Sequence, residues 1–213
     1  MTSKQEIMEK ENRHVIYGWG YLPIVFTEAR GAALKDIDGK EYIDLLAGAF
    51  GSTCIGHSDR KVIEAVQRQV EKLANCHFIG TNIPKAEAAE KISRVTPPGL
   101  NKIFFTCSGG EANETALKGA MKFTGKKEVI SLHMAYHGAT LGCLSIGSWF
   151  NRVGYPTVPG FRSIPPAYCY RCFYGKTYPE CDLECARALE TTIRAGSNHD
   201  VAAFIMEAVQ GHG

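Results

Sequence analysis

The sequence predicts an α/β domain built on a largely parallel sheet, preceded by a segment that carries an antiparallel hairpin. Three observations lead there. From Lys102 onward strand and helix patterns alternate: "KIFFTC", a helix over Glu111 to Phe123, "EVISL", and a helix over about Ala139 to Ile146. After a long irregular stretch come a helix near Asp182 to Ala195 and the buried-looking strand "VAAFIME". Alternation of this kind builds parallel sheets with right-handed crossovers. Upstream, residues from Gly31 to Leu45 roughly alternate apolar and polar around Asp38-Gly39, a pair suited to the positive φ of a tight turn. The composition, 45% hydrophobic and 22% charged over 213 residues, is that of a globular chain with enough length for one large domain or two small ones.

Taken in order, residues 4–14 form a short helix or stay loose. Two strands flank Asp38-Gly39, and the glycine-rich loop "AGAFGSTCIGHS" follows. Ser58 or Asp59 then caps a helix whose apolar residues Val62, Val66, Val70 and Leu73 recur at helical spacing. A second helix follows Pro84, with Ala88, Ala89, Ile92 and Val95 inward, and "TPPGL" stops it. No internal repeat or low-complexity tract interrupts the chain.

Charge and cysteine content narrow the function. With 24 Lys+Arg against 22 Asp+Glu the net charge is +2, which argues against a nucleic acid or an anionic membrane as partner and for a small-molecule role. The polar start "MTSKQEIMEKENRH" does not resemble a signal peptide, and no segment has the length to span a bilayer, so a cytoplasmic location is expected. In that reducing setting eight cysteines are expected as thiols, metal ligands or packed core rather than disulfides.

In such sheets ligands sit at the carboxyl ends of the strands. Ser108 lies between a strand and a helix whose small residues Ala112, Ala116, Gly119 and Ala120 permit close packing on the sheet. A helix start offers unpaired N–H groups and the positive end of the macrodipole; Gly109 and Gly110, lacking Cβ, let an anion such as phosphate approach them. The competing reading is a capping box, with Ser108 capping the helix and Glu111 reaching back to the N–H of Ser108. It explains Ser and Glu but does not call for two adjacent glycines. Tyr136-His137-Gly138 follows the next strand and Glu207 ends the last one. An aromatic ring, an anion site and a carboxylate on one rim describe a pocket for a flat, phosphorylated, aromatic cofactor.

The ordered motifs "GHSDRKVIEAVQRQVEKL", "FFTCSGGEANETALKGAMKFTGK", "YHGAT" and "FIMEAVQG" resemble class III aminotransferases, pyridoxal 5'-phosphate enzymes of fold type I, from about Tyr17 to Gly213. The resemblance implies the aspartate aminotransferase-like fold, with residues 1–58 as an N-terminal segment of the small domain and 59–213 as the N-terminal part of the large cofactor-binding domain. It implies that Ser108, Gly109 and Gly110 bind the cofactor phosphate, that Tyr136 stacks on the pyridine ring beside His137, and that Glu207 lies near cofactor and substrate. Ala208 stands where the family usually has proline. Phe50 matches a position that lines the substrate pocket; a packed loop aromatic is the other reading.

The same resemblance implies transfer of an amino group from an amino acid or ω-amine to a 2-oxo acid through a Schiff base on a lysine, with an aspartate against the pyridine nitrogen. Both of these lie downstream of the Glu207 stretch in the family, so no residue here is assigned as catalytic, and the chain resembles the N-terminal half of such an enzyme. It is read as a fragment, as one subunit of a split enzyme, or as a free-standing binding or regulatory protein. A homodimer or a complementary second-half chain is the expected partner. Racemase and decarboxylating transaminase activities remain alternatives on the same scaffold. Arg152 and Arg162 are weak candidates for meeting a substrate carboxylate.

Finally, "CYRCFYGKTYPECDLEC" contains Cys169-x2-Cys172 and Cys181-x3-Cys185, a spacing compatible with structural zinc or with thiols that pack or pair reversibly. Cys54, Cys76, Cys107 and Cys143 read as small buried hydrophobes.

Overall fold

The structure is a computed structural model that describes residues 3–17, 22–48, 51–77, 79–147 and 153–211. The chain divides into two compact units, Met1–Ala88 and Ala89–Gly213.

The first unit opens with helix α1 (Lys4–His14), started by a capping box in which Ser3 Oγ accepts from the Glu6 N–H and the Glu6 carboxylate accepts from the Ser3 N–H. A three-stranded antiparallel sheet follows, in the order β1 (Phe26–Arg30), β2 (Ala33–Asp36), β3 (Glu41–Ile43). The β2–β3 hairpin is the one expected, with Gly39 at φ +83°. Its turn is wrapped around the buried Asp36 carboxylate, which accepts from the N–H groups of Asp38 (3.0 Å) and Lys40 (2.8 Å) and from the Tyr42 hydroxyl (2.8 Å). Burial pushes that carboxyl up, but the hydrogen bonds from Tyr42, Lys40 and Asp38 outweigh it and hold it below the usual carboxylate range. Strand β1 was not expected: its residues are nearly all exposed, and a strand without a buried face carries no strong periodic signal.

Helix α2 (Arg60–Lys72) is capped by Asp59, whose carboxylate accepts from the Val62 N–H at 3.1 Å. The other expected cap, Ser58, has φ +53°, outside the extended range an N-cap requires. The apolar side chains of this helix are largely uncovered: Val62, Val66, Val70 and Leu73 are all exposed. Helix α3 (Ile83–Ser93) half-buries Ala88 and Ala89 but leaves Ile92 and Val95 exposed, which corrects the inward placement expected of the latter two.

The second unit contains a three-stranded parallel sheet ordered β5 (Phe161–Ile164), β4 (Glu128–Leu132), β6 (Val201–Phe204). Helix α4 (Gly109–Thr124) precedes β4, the short α5 (Leu141–Ser145) follows it, and α6 (Glu184–Ala195) precedes β6. Strand β4 is the centre: Val129, Ile130 and Ser131 are fully buried, as befits a parallel strand with neighbours on both edges. Leu117 of α4 packs with Val129 and Ile146, and Met121, Phe161 and Ile205 close around them. Strand β5 fell inside the stretch read as irregular. The segment "KIFFTC" is no strand, and Phe104 is 73% exposed. A strand needs a neighbouring edge to satisfy its N–H and C=O groups, and none of the described strands pairs with it.

The first residue of β4 ties the sheet together at its amino end. The buried Glu128 carboxylate accepts from Arg162 Nη2 of β5 (3.0 Å) and from both the backbone N–H (3.1 Å) and the side-chain amide (3.0 Å) of Asn198. The Arg162 guanidinium, with the Asn198 donors, holds the carboxyl below its usual range against the opposing effect of burial. A carboxyl whose folded-state pKa is depressed stabilises the fold above its unfolded value, about 4.3, and that contribution is lost as pH falls through the folded value. Glu128→Gln is therefore expected to lower stability at neutral pH and to flatten the acid limb of a stability-against-pH curve followed by denaturant unfolding. An unchanged acid limb would show that the pairing contributes nothing.

Candidate functional site

The candidate site forms at the carboxyl ends of β4 and β6 and the start of α4. Ser108 is the N-cap of α4, extended at φ −153°, and its Oγ accepts from the Glu111 N–H at 3.2 Å. The capping arrangement is thus present, with one difference: the Glu111 carboxylate accepts from the N–H of Cys107 (2.8 Å), not of Ser108. Separately, the N–H groups of Gly109 and Gly110 have no acceptor among the described residues and stand at the positive end of a sixteen-residue helix. A Cβ built on Gly109 would meet nothing within 4 Å. The space beside Gly109 is open.

Gly110 has a different task. The turn after β4 runs through Tyr136-His137-Gly138, and Gly138, at φ +126°, lies so close that a Cβ on it would stand 2.7 Å from Gly110 Cα. Neither backbone could approach the other if Gly138 carried a side chain. The contact is held by polar side chains of α4: Asn113 Nδ2 donates to the His137 carbonyl at 2.7 Å, and Glu114 Oε1 accepts from the Thr140 hydroxyl at 2.6 Å. Cys143, buried as expected, points its thiol at the Gly110 carbonyl (3.4 Å).

The carboxylate joins from the end of β6. Glu207 Oε2 accepts from the Tyr136 N–H at 3.3 Å, so residues 71 positions apart share one corner. The Tyr136 ring is partly exposed, while His137 is buried and its Nε2 has no hydrogen-bonding partner among the described residues. Burial lowers the affinity of His137 for a proton and the Glu207 charge raises it; burial prevails, which favours the neutral imidazole. Gln210 donates to the His133 carbonyl at 2.9 Å and fixes the chain beyond Glu207.

Ser108, Gly109, Gly110, Tyr136, His137 and Glu207 are therefore neighbours. Phe50 and Arg152 lie outside the described residues. Arg162 points to the opposite end of the sheet, where Glu128 engages it. Asn113, Glu114 and Thr140 were not singled out in the sequence, where a polar residue on a helix carries no sign of the turn it will reach. Among the described residues no three His, Cys, Asp or Glu side chains converge on a possible metal position, and the cysteines of the 169–185 stretch are free thiols. Cys54 and Cys107 are exposed, which corrects their reading as buried, whereas Cys76 is partly covered. Among the described residues no helix is long and apolar enough to cross a membrane. The clefts of the first unit, one lined by Leu73, Cys76, His77 and Lys85, contain none of these site residues.

Comparison with known proteins gives the arrangement a context. A family model described as Aminotransferase class-III matches residues 17–213. The acetylornithine aminotransferase of Methanopyrus kandleri is 36% identical over 97% of this chain and 47% of its own length. The leucine/methionine racemase of Thermococcus litoralis is 34% identical over 98% of this chain and 50% of its own. Among solved structures, the omega transaminase of Pseudomonas jessenii in complex with PMP superposes with a TM-score of 0.88 at 29% identity, covering 95% of this chain and 49% of that one. The chain thus spans about half the length of the relatives it matches.

Proposed function

We propose, from the premise that this chain belongs to the class-III aminotransferases, that it forms the phosphate and ring subsites for pyridoxal 5'-phosphate in an enzyme that moves an amino group from an amino acid or ω-amine to a 2-oxo acid. The fold is that of the fold type I transaminases, with part of the large-domain sheet present. The residues present fit the cofactor. Two helix-start N–H groups have no acceptor among the described residues, a Cβ on Gly109 would meet nothing within 4 Å, an aromatic ring stands on the adjoining turn, and a neutral, buried imidazole offers an unused nitrogen. The observation that carries the reading is the pair of free Gly109 and Gly110 amides beside the Tyr136 turn.

When bound, the cofactor supplies an electron sink that accepts an amino group from one substrate and yields it to another. The protein's part follows from its own groups. Gly109 and Gly110 would donate to the phosphate and place the ring by its tail. Tyr136 would cover one ring face and exclude water from it, and His137, neutral, would add no charge beside it. Glu207, tied to the Tyr136 N–H, would keep a carboxylate at the rim where the cofactor and amino substrate meet. Ser108 acts first as the cap that orients these amides. Phe50 remains our candidate for lining the substrate pocket.

In this reading residues 1–58 belong to the small domain and 59–213 to the large one, and the lysine that anchors the cofactor lies beyond Gly213 or on another chain. The enzyme works as a homodimer or with a complementary second-half chain, in the cytoplasm. A second reading, an amino acid racemase, is supported by the racemase relative at 34% identity, and chiral analysis of the product from a single-enantiomer amino acid separates the two.

Gly109→Ala is the direct test. Its methyl enters open space, so the unfolding free energy of the cofactor-free protein should hold, whereas cofactor affinity should fall about tenfold or more as charge-assisted donation from the turn is obstructed. Equilibrium titration with pyridoxal 5'-phosphate measures it. Equal affinity in the variant would remove the phosphate from this turn.

A further inference from the structure

We infer that Asn113 and Glu114 are positioning residues, a two-point clamp that holds the Tyr136-His137-Gly138 turn against the first turn of α4 and so fixes the ring platform relative to the phosphate amides. The inference rests on the cofactor reading above and adds to it two residues that touch neither phosphate nor ring. The phosphate subsite belongs to α4 and the ring to the loop after β4, and the two are covalently independent over more than twenty positions. A cofactor is rigid, with its phosphate and ring at a fixed separation, so both subsites must be held at matching distance before it binds.

Packing brings the two backbones together but does not hold them in register. The approach of Gly138 to Gly110 is glycine against glycine, with no side chain on either to interlock. Register comes from the adjacent pair on α4. Asn113 Nδ2 donates to the His137 carbonyl at 2.7 Å across 24 positions, and Glu114 takes the Thr140 hydroxyl at 2.6 Å across 26. One bond grips the turn before Gly138 and the other grips it after. Asn113 and Glu114 are partly buried; the Asn113 bond is part-buried, where water competes less well for the donor, whereas the Thr140 bond is exposed. Gly142 extends the fit: a Cβ there would stand 2.5 Å from Glu114 Oε1, so this glycine leaves room for the carboxylate to reach Thr140.

The clamp is tested on the full gene product, with its complementary half if that is a separate chain, by titrating the cofactor-free protein with pyridoxal 5'-phosphate. The readouts are the dissociation constant and, at saturation, the circular dichroism induced in the cofactor band. Asn113→Asp keeps the shape but sets a carboxylate against the His137 carbonyl; Glu114→Ala removes the acceptor for Thr140 while favouring the helix. Asn113→Asp should weaken binding about tenfold, the effect of one part-buried hydrogen bond, and Glu114→Ala by less, since its bond to Thr140 is exposed; each should change the induced dichroism at saturation. That second readout matters because a merely structural role would lower the melting temperature without altering how the bound ring is held. If Asn113→Asp does not fold, Glu114→Ala decides alone. Wild-type affinity and dichroism in the folded variants would overturn the clamp and leave the cofactor reading intact. Absence of binding by the unaltered protein would overturn both.

Discussion

Gly138→Ala should abolish cofactor binding and destabilise the fold by about 2–6 kcal/mol, from a strained backbone at about 1–3 kcal/mol and an overpacked contact at about 1–3 kcal/mol. The two costs have separate origins. At φ +126° an L side chain is unfavourable whatever its surroundings, and here the added carbon would also lie 2.7 Å from Gly110 Cα and 3.4 Å from Cys143 Cβ. Neither neighbour can yield easily, because the first is backbone at the start of α4 and the second belongs to a fully buried residue. Relief therefore requires the Tyr136 turn to move away from the anion site. Denaturant unfolding of the cofactor-free protein measures the stability loss, and titration measures the binding. A variant as stable as the parent would mean that the two glycines are not in contact, and the proposed geometry of the site would fall with them.

The 213-residue chain by itself should show no transamination. The reaction needs an amine at the ring end of the cofactor, and the lysines of α4 and of the lead into β4 start far from it. Lys118 and Lys122 lie nine and thirteen residues into α4, roughly 13 and 20 Å along the axis from its start. Lys126 and Lys127 enter β4 at the end opposite to Tyr136. A lysine side chain reaches about 6 Å, four carbons and a nitrogen at ordinary bond lengths, which is too short for either route. Product formation from an amino donor and a 2-oxo acid is the measurement, alongside the absorbance of a lysine-bound cofactor. Turnover by the isolated chain, or that absorbance band, would locate the anchor within these residues after all.

Much of this arrangement was legible because it depends on local chemistry. The turn at Asp38-Gly39, the Asp59 cap, the short β4 run "EVISL" and the glycine corner before Glu111 each announce themselves within a few residues. What could not be read is what depends on distant partners. Nothing at Asn113 indicates the carbonyl of His137, and nothing in the apolar run Ile103 to Phe105 indicates that no edge is there to receive it. Strand β5, four residues long and only partly buried until Ile164, is too short to show a period. The valines of α2 illustrate the same point in reverse: their spacing correctly gave a helix, but spacing alone does not provide a surface to cover them.

The dependence of β4 on a strand made much later has a kinetic consequence for biosynthesis. Glu128 and its partner Asn198 are 70 positions apart, and the ribosome adds about 5–20 residues per second, so β4 waits roughly four to fourteen seconds for its second edge. Until Phe161 is made this run of buried-type residues has neither edge, and after it only one, while the nascent chain lengthens. Slower translation should extend the window in which chaperones, or other nascent copies, compete for it.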